Sequence, residues 1–84
     1  MSELDFRKQL LLNEFKSLSK GKSNDEMLPL IFAISSKAKQ AGITFGPEDF
    51  QIILEQLKKD MTPEEQLLIP QLLQLLQSQH SKKQ

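Results

Sequence analysis

From Met27 to Ile34 the chain reads Met-Leu-Pro-Leu-Ile-Phe-Ala-Ile, a run of eight residues with no charge and no side-chain hydrogen-bonding group. A helix that is apolar on every side has to be enclosed by other elements, so the run predicts a central helix with neighbours all round. Phe32 is expected in the core, where its truncation to alanine would leave a cavity costing roughly 3–5 kcal/mol. Three amphipathic segments of ordinary helix length accompany the run. Together they predict an all-α fold, a compact bundle of four helices joined by short loops.

The rest of the composition mainly limits function. At 84 residues the chain has room for one domain burying roughly 60–65% of the surface of its unfolded form; residues 1–79 are expected to form that domain, and 80–84 a flexible tail. Eleven basic and eleven acidic side chains leave no net charge, so no global field draws the chain to nucleic acid, an anionic membrane or an acidic substrate. Without cysteine there is no disulfide framework, thiolate nucleophile or thiolate metal site. The opening residues lack the basic and apolar regions of a secretory signal, and nothing approaches about 18 consecutive apolar residues. The expected location is cytoplasmic.

The first helix is predicted over residues 3–19, with Ser2 at the N-cap, Glu3 and Asp5 at the positive end and Gly21 just past the stop. Leu4, Leu11, Phe15 and Leu18 share one stripe. Phe6 and Leu10 fall well away from it as a second apolar patch, which suits either a helix wedged between two neighbours or contact with a partner. Residues 20–24 read as a loop. The central helix opens on Ser23-Asn24-Asp25-Glu26, a capping box, and ends at Gly42. Pro29 is expected to kink its opening or make it irregular. Ile43 and Phe45 alternate along the following link and are expected to plug the end of the core.

Pro47, after Gly46 and before Glu48 and Asp49, marks the start of a third helix over residues 47–59. Its apolar positions are Phe50, Ile53, Leu54 and Leu57. Thr62-Pro63-Glu64-Glu65 combines an N-cap threonine, an N1 proline and a capping-box glutamate, and predicts a fourth helix to about residue 78, bent at Pro70. Leu68, Ile69, Leu72, Leu73, Leu75 and Leu76 cover nearly half its circumference, and no charge occurs from Gln66 to Gln79. The series Ser-Asn-Asp-Glu-Met-Leu-Pro, Gly-Ile-Thr-Phe and Thr-Pro-Glu-Glu, spanning 23–76, resembles short uncharacterised all-helical bacterial proteins. The resemblance implies the helical fold and carries no activity with it.

Reactive chemistry is poorly provided for. The single histidine, His80, falls in the expected tail, and a metal site or histidine base needs clustered ligands or an ordered ring. The acidic pairs Asp25/Glu26, Glu48/Asp49 and Glu64/Glu65 all fall in first helical turns, where capping and the helix dipole explain them. The three glycines are isolated and form no phosphate-binding loop. No catalytic, cofactor-binding or metal residue is therefore assigned, and no small-molecule substrate, cofactor or enzymatic activity is expected. Arg7, Lys8, Lys16, Lys20 and Lys22 against Glu3, Asp5 and Glu14 leave too small a basic excess for a membrane surface.

Two readings of function remain. The first is a small non-enzymatic protein-interaction or regulatory module that binds a protein partner or a second copy of itself as a homodimer. Its expected contacts are Leu73 and Leu76 on the outer edge of the fourth helix, with Phe6 and Leu10 as a second surface. The alternative is a helix-turn-helix DNA-binding regulator, for which Ala38, Gly42 and Ile43 have the spacing of a first helix and turn. The next helix would then aim Glu48 and Asp49 at a polyanion, which disfavours that reading.

Overall fold

The computed structural model describes residues 4–78. Among them lie four α-helices, α1 (Phe6–Ser19), α2 (Asn24–Gln40), α3 (Pro47–Asp60) and α4 (Ile69–Ser78), with a 3-10 turn, Glu65–Leu68, ahead of α4. No described residue is in a strand, and the fold is the expected all-α bundle. α2 packs against α1 on one side and against the 3-10 turn and α4 on another, while α3 packs on α1.

The helix ends follow from side chains a few residues away. Asp5, not Ser2, caps α1: its carboxylate accepts from the Lys8 N–H at 3.0 Å, and Ser2 lies outside the described residues. The Glu26 carboxylate accepts from the Ser23 N–H at 3.0 Å, and that of Asp49 from the Gly46 N–H at 2.9 Å. One member of each of these acidic pairs thus satisfies a backbone donor at its helix start. α2 closes with a Schellman motif in which Gly42 N–H donates to Lys39 and Ile43 N–H to Ala38, at 3.1 and 2.9 Å. Gly42 takes a φ of 72° there, and Ile43 folds back into the core.

The core is built from Leu11, Leu12 and Phe15 of α1, Met27, Leu30, Ile31, Ile34 and Ala38 of α2, Ile53 and Leu57 of α3, and Ile69, Leu72 and Leu76 of α4. Ile43 and Phe45 close one end as the link predicts, and Met61 joins them from the turn after α3. The uncharged run is nevertheless not enclosed. Met27, Leu30, Ile31 and Ile34 face inward, but Leu28 is half-buried, Pro29 and Ala33 are exposed and Phe32 is 55% exposed. Neighbours cover only one sector of α2, so Phe32 is not a core residue. α2 also runs without interruption through Pro29; the ring stands on the exposed face, where water can satisfy the carbonyl that loses its donor.

Two further expectations change. Leu18 and Leu54 are exposed and Phe50 is half-buried, while Leu12, outside the expected stripe, is buried. Thr62 and Glu65 do form a reciprocal cap, with Thr62 N–H to the Glu65 carboxylate at 2.9 Å and Glu65 N–H to Thr62 Oγ1 at 3.2 Å. What this cap starts is the 3-10 turn, and α-helix begins only at Ile69. Pro70 cannot donate to the Gln66 carbonyl, which accepts instead from the Ile69 N–H at the change of helix type.

Candidate interaction surface

The helical period alone places Leu76 between Leu72 and Ile69, in the middle of the apolar arc of α4. Counted from Ile69, the inward positions are Ile69, Leu72 and Leu76 at i, i+3 and i+7. Leu76 is therefore 3% exposed and belongs to the core, contrary to its expected place on the outer edge. Leu73 is half-buried and packs on the core from the flank. Neither is part of an open apolar face. The exposed leucine of this region is Leu67, at 61%, in the 3-10 turn, a position that an α-helical reading of residues 63–78 does not single out.

α1 presents a different case. Phe6 is 75% exposed and Leu10 is 51% exposed. Four positions apart, they adjoin on the helix surface, and by the 3.6-residue period they point away from Phe15, which is fully buried. The wedged-helix expectation fails for this patch: α2 and α3 meet other sides of α1 and leave Phe6 and Leu10 in solvent.

Those flanking contacts also account for the charges beside the patch. The Arg7 guanidinium donates to the Ala41 carbonyl at the end of α2, where a cation complements the helix dipole. Glu14 pairs with Lys37 of α2 at 2.7 Å. On the other side Lys8 meets Asp49 of α3, and Lys16 meets Asp60, both at 2.8 Å. Between the two salt bridges Gln9 and Gln56 exchange side-chain hydrogen bonds at 2.9 Å each way, and Lys16 also donates to Gln56 at 3.2 Å. The outward strip Phe6, Leu10, Asn13 and Ser17 is uncharged.

Electrostatics reinforce this arrangement. Burial works against the Asp49 carboxylate, but the Gly46 N–H and the Lys8 ammonium together hold its pKa below the ordinary aspartate value. The Lys16 ammonium lowers that of Asp60. Lys8 Nζ also stands 5.6 Å from the centre of the Phe45 ring, and Phe45 stacks on Phe50 at 6.3 Å.

The residues of the other functional readings are placed as follows. Ala38 is buried, and Gly42 and Ile43 form the α2 stop; Asp49 is held by Lys8 and Gly46, and Glu48 is exposed. His80 lies outside the described residues. Among the described residues no group of three or more histidine, cysteine or acidic side chains could hold a metal ion, and no helix is long and apolar enough to cross a membrane. No family model, curated protein or solved structure matches the chain.

Proposed function

We propose that this chain is a small non-enzymatic protein-interaction module whose contact surface is the outer face of α1, centred on Phe6 and Leu10. The observation that carries the reading is the exposure of these two large apolar side chains one turn apart, on a strip without charge. Single exposed apolar residues such as Leu54 need no explanation, whereas grouped ones mark contact sites. The contact is either with another protein or with a second copy, in which case one strip would meet its symmetric equivalent.

The test replaces both residues, Phe6→Ser with Leu10→Ser, and follows fold and association separately. Circular dichroism and the denaturant midpoint should stay near those of the parent chain, because neither side chain is in the core. A photo-crosslinking residue at Ser17, on the same face, should capture one discrete protein in the native cell, or a second copy of the chain. That adduct should disappear in the double variant. A parent chain that remains monomeric at all concentrations and yields no discrete adduct refutes the reading.

A further inference from the structure

α3 is held differently from the other helices. It contributes two buried side chains, Ile53 and Leu57, where α2 contributes five. Phe50 and Ile52 pack half-buried at the edge of that core, and the rest of its attachment to α1 is the polar seam Lys8–Asp49, Gln9–Gln56 and Lys16–Asp60. Each of these pairs is half-buried or exposed, so water can replace it at small net cost. The segments on either side of α3, residues 43–46 and 61–64, are irregular and can absorb a change of direction without breaking a helix. Beneath α3 a void of about 10 Å³ is bordered by apolar side chains, among them Leu11, Phe15, Ile53, Leu72 and Leu76. It is too small to hold water comfortably.

We propose that α3 is a flap that opens as one unit from the body formed by α1, α2 and α4, uncovering the apolar trough of Leu11, Leu12, Phe15, Leu72 and Leu76. The unit with the fewest buried contacts and the most solvent-replaceable ones is the first to open when stability is unevenly distributed. The trough is separate from the Phe6 and Leu10 face, so the flap does not depend on the function proposed above.

Native-state hydrogen exchange in a gradient of mild denaturant tests this on the full chain. The amides of Ile53 to Leu57 should exchange at least about tenfold faster than those of Ile31 to Ile34, with a weaker denaturant dependence. A second variant, Gln9→Cys with Gln56→Cys in a chain with no other cysteine, can be bridged by a short bismaleimide. Bridging should slow α3 exchange to the α2 rate, while the unbridged variant keeps the difference. Equal rates for α3 and α2 at every denaturant concentration overturn the proposal. So does fast α3 exchange that bridging leaves unchanged, since that is fraying residue by residue and not opening as a unit.

Discussion

Gln9 and Gln56, 47 positions apart, join α1 to α3 by a closed pair of amide hydrogen bonds, each 2.9 Å long. Gln9 also reaches Asn13 along its own helix at 3.0 Å, and Gln56 accepts from Lys16. The seam between these helices is thus a polar ladder with a defined register. It orients α3, and the core behind it supplies the larger share of cohesion.

Replacing Gln56 with alanine removes the partner of Gln9 and an acceptor of Lys16 at once. The expected loss is about 0.5–2 kcal/mol in denaturant unfolding. A double-mutant cycle with Gln9→Ala should show a coupling of about 0.5–1.5 kcal/mol. Strict additivity of the two substitutions would mean that the amide pair contributes nothing beyond its separate halves.

Phe15 and Phe32 should behave as opposites. Phe15 is fully buried, and Phe15→Ala is expected to cost about 3–5 kcal/mol. Phe32 faces mainly solvent, and alanine is the better helix former, so Phe32→Ala should change stability by less than about 1 kcal/mol. Leu76→Ala belongs with Phe15, at about 2–5 kcal/mol. Comparable midpoints for the Phe15 and Phe32 variants would contradict the packing described here.

Gly42 has a φ of 72° and open space where a Cβ would stand. Gly42→Ala therefore meets no clash with a neighbour, only the cost of left-handed backbone, about 1–2 kcal/mol. Thr62→Ala removes the hydroxyl that accepts from Glu65 N–H and should cost about 0.5–2 kcal/mol. Thermal or chemical unfolding of the two variants measures both.

Acid should weaken the fold through three carboxylates. Lys16 lowers the pKa of Asp60, and the Thr62 and Gly21 N–H groups lower that of Glu65. In Asp49 the Gly46 N–H and Lys8 outweigh the opposing effect of burial. A carboxyl group with a depressed folded pKa contributes stability that is fully present above its unfolded value, about 4, and is lost as pH falls through the folded value. Unfolding midpoints should accordingly drop below about pH 4. Asp49→Asn should be less stable than the parent near neutral pH, and the gap should close as the medium becomes acidic. A gap independent of pH would show that the Asp49 charge does not contribute.

Much of the fold is legible from short stretches because its signals act over three to six residues. The cap of Glu26 on Ser23, the Pro47 start with Asp49 on Gly46, and the Gly42 stop all connect near neighbours in the chain. So does the Thr62 and Glu65 cap, although the sequence does not reveal that a 3-10 turn follows it. Phe6 and Leu10 are visible as a patch from helical period alone. Their exposure is not, because it depends on which sides of α1 the other helices occupy.

The sequence by itself therefore determined the helical class, the places where α2 and α3 begin and where α2 ends, and the inward roles of Ile43 and Phe45, since turn chemistry and hydrophobic period are local properties. Tertiary structure alone decided the outcome at Phe32 and Leu73, whereas Leu76 lies between Leu72 and Ile69 by helical period and its burial was legible locally. A helix rich in apolar residues offers several sectors for burial, and the sector covered is chosen by elements distant in the chain. The same holds for Lys8 with Asp49 and Gln9 with Gln56, whose separations of 41 and 47 residues leave no local trace of the pairing. Only when Ile53 and Leu57 seat α3 on the core do those polar side chains come within reach of α1.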